Sequence, residues 1–378
     1  MLSILALSAA TLALNPTPNF TVHEWGTFTS FSGHGGGAIP YHILIAEDLP
    51  PFVQARFVGG RWLSADSPEF TKAALHATQR METPVIYFHA PREMEVSVQV
   101  RFPMGLISEV YPPVTAFLPE SLPLPSIPAA GSSVRWDNVR IVPNATAGTP
   151  ALQDAGTSHY AHARNTSGDP VHVSHQGVEH TERFLFYRGV GNPDLKVSAS
   201  ALGSDKLVLN SGAGPLDTFI LENLRGELRF SFHQNLRPGV EVTIPAKPGS
   251  QADLEAAMTR ALARAGLHDD EAAAMVATWK HHWFAEEGTR MLVILPQSLI
   301  DSVLPLTITP TPERTTRVFV SRLEVLTPER QAWIETQLKK LAEDPNSAEA
   351  EEQLKSLGRF RAPAVEYAKT ALLLREGC

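Results

Sequence analysis

The chain has 378 residues, of which 43% are hydrophobic and 19% are charged, and a chain of this length has room for two or three domains with hydrophobic cores of their own. Its single cysteine, Cys378, excludes an intramolecular disulfide framework, an iron–sulfur cluster and every zinc site built from several cysteines. The formal net charge of -8 argues against a nucleic-acid-binding protein, and the 30 prolines indicate many short strands and turns.

Residues 1–14 form an uncharged apolar run that predicts a secretory signal peptide. The run is shorter than the ~20 apolar residues that a transmembrane helix needs, and small residues near Ala13 offer a cleavage site. The alternative is a buried N-terminal helix, but Pro16 and Pro18 would interrupt its continuation. No later segment is long and apolar enough to span a bilayer. We therefore expect an extracytoplasmic protein, periplasmic or secreted, with no transmembrane span in the mature chain.

Two segments of the chain have the patterns of β-strands. The first, residues 20–150, contains an aromatic and β-branched run at 85–89 and an alternating run at 95–102. The second, residues 151–326, contains similar runs, for example at 227–232. We therefore predict a mainly β (α+β) fold with two β-sandwich-like modules, one in each segment.

Three further segments have helical patterns. Over 67–80, a capping serine followed by proline predicts a short helix. Residues 250–286 switch to the helical period and predict a helical hairpin inserted in the second β-rich segment. Residues 327–378 predict a helical C-terminal tail, with Thr327 as the cap of its first helix and Asn346 as the cap of its second.

Five of the 14 histidines lie within 22 residues and have a spacing that is typical of metal ligands. They form two His-x-x-His pairs and one further histidine: His159, His162, His172, His175 and His180. Neutral imidazole binds transition metals such as zinc and copper, and no thiolate competes with it here. Asp169 and Glu179 lie among these histidines as candidate oxygen ligands or hydrogen-bond partners. The alternatives are weak, adventitious metal binding by a His-rich loop, or no role at all.

His23 and Glu24 are adjacent in a predicted strand and make a second candidate site. Neighbouring side chains in a strand point to opposite faces, so one of the two faces the core or a cleft and the other faces away. Gly26 interrupts the strand and would let Trp25 reach a surface. Under this hypothesis Glu24, or Glu179 from the histidine cluster, is the catalytic general base that acts on a metal-bound water. The alternative is a structural strand in which Trp25 packs in the core.

Several runs of the sequence resemble an uncharacterised family of secreted bacterial proteins. The matching runs are HEWGTFTS at 23–30, METPVIYF at 81–88, FLFYRGVG at 184–191, and the segments 271–284 and 303–308. The resemblance implies secretion and no particular activity. Most of the clustered histidines lie outside these runs, so the resemblance favours a site near His23 and Glu24, together with Arg188. The candidate binding residues are His23, Trp25 and Arg188.

The sequence contains no nucleotide-binding glycine motif, no H-E-x-x-H zinc motif and no nucleophile elbow. The leading prediction is therefore an extracytoplasmic cell-envelope protein with a binding or structural role toward an unidentified envelope or extracellular ligand, which could hold zinc or copper through the histidine cluster. The alternative is a secreted metal-assisted hydrolase. An enzyme needs its histidines to converge with a carboxylate in a concave pocket, whereas a binding or structural protein leaves them along an exposed loop.

Overall fold

The structure is a computed structural model that describes residues 16–42, 49–58, 61–64, 76–120, 127, 129–145, 148–152 and 159–376. In the structure, 43% of the residues are in strands and 26% are in helices, so the prediction of a mainly β, α+β fold is confirmed. The predicted signal peptide at 1–14 and most of the helix predicted at 67–80 lie outside the described residues. At the C-terminal end of the predicted helix, residues 76–77 and 79–80 are β-strand in the structure. The extension of the predicted helix to residue 80 is therefore wrong, because these residues pair with neighbouring strands.

The bounds of the elements are as follows, in chain order within the described residues. The strands are β1 (Thr17–Ser32), β2 (Tyr41–His42), β3 (Gln54–Val58), β4 (Arg61–Ser64), β5 (His76–Ala77), β6 (Gln79–His89), β7 (Met94–Phe102), β8 (Gly105–Tyr111), β9 (Ala116–Leu118), β10 (Ser132–Ile141), β11 (Val171–His175), β12 (Val178–Glu182), β13 (Leu185–Gly191), β14 (Val197–Leu202), β15 (Lys206–Ser211), β16 (Leu216–Leu224), β17 (Glu227–Leu236), β18 (Glu241–Thr243), β19 (Gly288–Leu295), β20 (Leu306–Thr309) and β21 (Pro312–Val325). The α-helices are α1 (His159–His162), α2 (Gln251–Arg264), α3 (Asp269–Lys280), α4 (Gln297–Val303), α5 (Pro328–Glu343), α6 (Ala348–Lys355) and α7 (Arg361–Glu376). A π-helical turn at His281–Ala285 continues α3, and a 3₁₀ turn at Gly358–Phe360 precedes α7.

A ten-stranded sheet runs through the molecule in the order β17-β16-β19-β21-β1-β6-β13-β8-β3-β4. Five of these strands come from residues 20–150 and five from residues 151–326, so the two β-rich segments share one sheet. β1 pairs in parallel with β21, and the other pairings of this sheet are antiparallel. A six-stranded sheet (β12-β11-β10-β7-β20, with β9 beside β10) and a three-stranded sheet (β14-β15-β18) accompany it.

The central sheet is covered on both faces by apolar side chains. One face of β1, with Val22 and Phe28, packs in a core shared with the two smaller sheets. The opposite face, with Trp25, packs against the helical hairpin of α2 and α3. This hairpin confirms the helices predicted within 250–286, since the predicted apolar stripe is buried in the same core. The Ser250 hydroxyl caps α2 by accepting a hydrogen bond from the backbone N–H of Asp253 at 3.1 Å.

The helical tail is docked on the sheet. Phe31 at the end of β1 and Leu326 after β21 pack with Phe360 and the apolar faces of α5 to α7. Thr327 caps α5, as predicted, by accepting from the backbone N–H of Arg330 at 3.2 Å. The cap predicted for α6 is wrong by one residue. The Ser347 hydroxyl accepts a hydrogen bond from a backbone N–H in the first turn of α6, whereas Asn346 belongs to the turn between the two helices. Among the described helices, none has the length and apolar character to cross a bilayer.

Ion pairs that each have a buried member on the sheet join this tail to the sheet. The Glu82 carboxylate in β6 accepts from Arg80 Nε at 2.7 Å and from Arg359 Nη1, in the tail, at 3.0 Å. Arg359 also donates to Glu286 beside the π-helical turn at 3.2 Å, and Glu286 pairs with Arg322 of β21 at 2.7 Å. Charges buried in this way are tolerated only when paired, so these contacts specify how the tail sits on the sheet.

Lowering the pH is expected to weaken this ion-pair cluster. Burial by itself would raise the pKa of Glu82, but Arg80, Arg359 and His282 together outweigh it and lower the pKa from 4.5 to about 2. A carboxylate whose pKa is lowered by folding stabilises the folded state above pH 4.5, and this contribution is lost as the pH falls from 4.5 toward 2. We therefore expect the free energy of unfolding, measured by urea denaturation, to fall across this window by more in the wild type than in Glu82→Gln.

The Glu82→Gln variant is also expected to lose about 3 kcal/mol of stability at neutral pH, because the buried Arg80 and the tail residue Arg359 both lose an ionised partner. Glu343→Gln, at an exposed position at the end of α5, serves as the control and should behave like the wild type. Identical pH dependence in the wild type and Glu82→Gln would contradict this account of the tail.

Candidate metal centre

Four side chains converge where the helical hairpin meets the central sheet. His23, His89, His268 and Glu271 each offer one ligand atom, and these atoms all lie within 4.8 Å of one another. No other group of three or more His, Cys, Asp or Glu ligands converges in this way within the described part of the chain. This His/Glu cluster could therefore hold a metal ion.

Strand pairing and a helix start bring the four residues together. His23 in β1 lies opposite Tyr87 of β6, and His89 is two residues further along β6 on the same face. That face carries Trp25 and packs against the hairpin. His268 is the N-cap residue of α3, and Glu271 lies three positions later in its first turn.

The Glu271 carboxylate lies at the centre of the group. Its Oε2 is 2.7 Å from His23 Nδ1, and its Oε1 is 2.9 Å from His89 Nε2. Its Oε1 also lies 3.9 Å from His268 Nδ1, while its Oε2 accepts from the His268 backbone N–H at 3.0 Å. The three imidazole rings pack against one another with centroids 4.4 to 5.1 Å apart. One carboxylate thus contacts all three histidines and also caps the helix that carries it.

Burial makes the group accessible from one side only. His23 and Glu271 are fully buried, whereas the side chain of His89 is 18% exposed and that of His268 is 43% exposed. The Nε2 of His23 is buried and has no hydrogen-bond partner among the described residues. Such a nitrogen costs free energy when it is left unsatisfied, and a metal ion is one partner to which an imidazole nitrogen donates its lone pair.

The protonation states also suit a metal ion. Burial by itself would raise the pKa of Glu271, but the hydrogen bonds from His23 and His89 outweigh it and lower the pKa to about 2. Burial lowers the pKa of His268, with the neighbouring histidines acting in the same direction and Glu271 opposing them. The group therefore presents an ionised carboxylate and a neutral imidazole at neutral pH, which are the forms that bind metal ions.

The segment between α1 and β11 supports the end of β6 that carries His89. Asp169 Oδ2 accepts from the backbone N–H of Ala90 at 2.7 Å, and the Asp169 N–H donates to the Phe88 carbonyl at 2.8 Å. Gly168 packs so closely on Tyr87 that a Cβ atom there would lie 2.8 Å from its ring. Asp169, predicted as a ligand or partner of the histidine cluster, thus hydrogen-bonds to the backbone on both sides of His89.

The predicted histidine cluster does not form such a group among the described side chains. His172 and His175 are three residues apart in β11, so their side chains point to opposite faces of the strand, whereas a His-x-x-His pair needs a helical turn to share a face. His172 Nδ1 contacts Glu179 at 3.0 Å, and His180 lies opposite Val173, on the face of His175. His162 lies in α1, and the side chain of His159 is outside the described part of the structure.

The two predicted general bases lie away from the His/Glu cluster. Glu24 is fully buried on the face of β1 opposite to His23, where it accepts from Arg317 Nε at 2.5 Å and from the Tyr187 hydroxyl at 2.6 Å. Glu179 is exposed on the hairpin of β11 and β12. The alternation rule thus separates His23 and Glu24 onto different faces, as expected, and Glu24 supplies no ligand to the group.

Trp25 and Arg188, predicted as binding residues, are both buried. Trp25 lies under the helical hairpin with its ring centroid 6.2 Å from that of Tyr87, which agrees with the structural alternative. Arg188 in β13 pairs with Glu109 of β8 at 3.4 Å. Of the predicted binding residues, His23 is the one that belongs to the converging group.

The sequence analysis missed His89, His268 and Glu271. Glu271 is 248 residues from His23 and 182 from His89 along the chain, so no local spacing relates them. The one available signal is the His268-Asp-Asp-Glu271 run at a helix start, where an N-cap residue and the residue three positions later face each other.

Comparisons with known proteins do not add a function. No protein-family model matches the chain, and no curated protein matches it either.

Replacing Glu24 separates a structural role from a catalytic one. Glu24→Gln is expected to lose about 3 kcal/mol of stability, because the buried Arg317 loses an ionised partner. Metal content of the folded protein should stay unchanged, because Glu24 lies on the other face of β1. Thermal denaturation and elemental mass spectrometry measure the two effects, with the exposed Glu179→Gln as control. Loss of metal at unchanged stability would instead place Glu24 in the metal centre.

Proposed function

We propose that the protein is an extracytoplasmic metal-binding protein of the cell envelope that holds one zinc or copper ion through His23, His89, His268 and Glu271. The observation that carries this proposal is the convergence of these four donors within 4.8 Å. Three imidazole nitrogens and one carboxylate oxygen make a donor set that suits zinc, and nitrogen and oxygen ligands also suit copper(II). The extracytoplasmic location is supported by the signal-like composition of residues 1–14.

The donor number favours a binding or structural role over catalysis. Four protein ligands complete a tetrahedral shell, whereas a catalytic zinc keeps one position for water. An ion at this place would tie α3 to β1 and β6, because each of these elements contributes a ligand. The alternative, a secreted metal-assisted hydrolase, would need a ligand to leave. His268 is the candidate for that, since it is the most exposed of the four.

Metal content tests this proposal directly. Protein recovered from the extracytoplasmic fraction of its native host and dialysed is expected to carry close to one zinc or copper ion per chain, measured by elemental mass spectrometry. His268→Ala removes a proposed ligand and Glu271→Gln removes the charge of another, so each should weaken affinity by about a hundredfold, since changes outside the ligand shell already cost about tenfold to a hundredfold. The matched control is the double variant His172→Ala/His175→Ala, which should retain the metal.

Two outcomes would overturn the assignment. One is metal loss in the His172→Ala/His175→Ala control combined with retention in His268→Ala, which would return the site to the predicted histidine cluster. The other is the absence of any retained metal in folded wild-type protein. Recovery of the protein from the cytoplasm alone would contradict the location but not the metal site.

A metal ion that joins the hairpin to the sheet should also stabilise the fold. At a free metal concentration a thousand times the dissociation constant, binding is expected to add about 4 kcal/mol to the free energy of unfolding. Hydrogen exchange should slow in α3 and in β1 around His23, because both elements carry ligands. His268→Ala should abolish both effects. An unchanged melting temperature at saturating metal would contradict preferential binding of the ion to the folded protein.

A further inference from the structure

A short segment contacts both β6 and α3, the elements that carry two of the proposed ligands. Residues 163–169 form this segment, the strap, which follows α1 and leads into β11. Near the start of the strap, the carbonyl of Ala163 accepts a hydrogen bond from the Tyr87 hydroxyl of β6 at 2.7 Å. Further along, the backbone N–H of Ser167 donates to Oδ2 of Asp270, in the first turn of α3, at 2.5 Å. The strap therefore links the end of one ligand-bearing element to the start of another.

At the β6 end, the strap holds the backbone on both sides of His89. Asp169 Oδ2 accepts from the N–H of Ala90 at 2.7 Å, and the Asp169 N–H donates to the carbonyl of Phe88 at 2.8 Å. Phe88 and Ala90 are the chain neighbours of His89. Because the peptide groups before and after His89 are both held, the direction in which its side chain leaves the strand is held as well.

At the α3 end, the strap is tied to the backbone of Glu271. While Asp270 Oδ2 accepts from Ser167, its Oδ1 accepts from the backbone N–H of Glu271 at 2.9 Å. An N–H in the first turn of a helix has no partner within the helix, so it is free to accept this side-chain partner. One carboxylate thus connects the strap to the residue whose own carboxylate lies at the centre of the His/Glu cluster.

The strap is itself fixed by contacts that involve none of the four proposed ligands. Arg183, which follows β12, donates from Nη1 to the carbonyl of Gly168 at 3.1 Å and to that of Thr166 at 3.4 Å. Gly168 packs on the ring of Tyr87 without room for a Cβ atom between them. These contacts exist without a metal ion, so the strap can set the positions of β6 and α3 before an ion binds.

Such a support matters because metal ions tolerate little error in ligand position. A metal–ligand distance deviates by only about 0.2 Å from its ideal value in a good site. His89 Nε2 and Glu271 Oε1, 2.9 Å apart, come from elements 182 residues apart along the chain. On the basis of the proposed metal-binding function, we infer that Asp169 and Asp270 are positioning residues. Neither belongs to the converging group, but together they hold His89 and Glu271 at the spacing and orientation that the ion needs.

Metal titration of full-length variants tests this inference. Asp169→Ala and Asp270→Ala keep all four proposed ligands, but each should weaken Zn²⁺ affinity about tenfold to a hundredfold, the usual cost of losing a group that orients a ligand. Competition with a chelator of known affinity measures this change. The visible absorption of bound Co²⁺, which reports the geometry of the ligands, should also shift in both variants. A purely structural role would lower the melting temperature and leave the Co²⁺ spectrum unchanged.

Three further variants separate positioning from charge and from general destabilisation. Asp169→Asn removes the negative charge but keeps an oxygen that can accept from the Ala90 N–H, so it should restore most of the affinity and the wild-type spectrum. Gly168→Ala changes no charge and no hydrogen-bonding group but pushes the strap from Tyr87, so it should weaken binding like Asp169→Ala. The matched control is Asp217→Ala, since this partly buried carboxylate also accepts from a backbone N–H, that of Asn235 at 2.9 Å, and should bind like the wild type.

The possible failures are distinguishable in protein that melts cooperatively. Wild-type affinity and spectrum in Asp169→Ala, Asp270→Ala and Gly168→Ala would overturn the positioning role and leave the proposed metal site intact. Equal weakening in Asp169→Asn and Asp169→Ala would overturn it as well, because the charge and not the hydrogen bond would then matter. Absence of Zn²⁺ and Co²⁺ binding in the wild type would refute the metal site and, with it, this inference.

Discussion

The parallel pairing of β1 with β21 places a strand from the start of the chain at the centre of the ten-stranded sheet, beside a strand that lies some 290 residues later. Both faces of β1 are buried from Val22 onward, one by the smaller sheets and one by the helical hairpin. The register decides which side chain faces which layer, because a slip of one residue would exchange the faces. It sets His23 under the hairpin and aligns Glu24 with Arg317 on the other side.

Buried charges then constrain how the layers assemble. Arg188, Arg290 and Arg322 are among the largest fully buried side chains of the described residues. Because a charge without a partner is costly in the interior, each buried carboxylate and guanidinium needs a partner, and many of these partners come from another element. Arg359 shows the consequence, since it reaches from the tail to Glu82 of β6 and to Glu286 beside the π-helical turn. Such pairs contribute specificity of docking more than net stability.

The proposed metal site lies where layers of the fold meet. Its His/Glu cluster joins the start of α3 to β1 and β6. At a junction of this kind, side chains from distant segments converge without filling the space between them completely. A ligand bound there contacts both layers, so its binding free energy also contributes to holding them together.

The amino-acid sequence by itself determined the features that depend on near neighbours. The mainly β class, the helical hairpin and the Thr327 cap follow from local periods and caps, which involve residues a few positions apart. His23 was recognisable as a candidate, but its partners were not, since they are contributed by β6 and α3. The His-x-x-His pair of β11 lies in a strand, where residues three apart face opposite sides, whereas its spacing would bring the two side chains together on a helix. Convergence of ligands in space was decided by tertiary structure alone, since it depends on strand order and register, which no local pattern encodes.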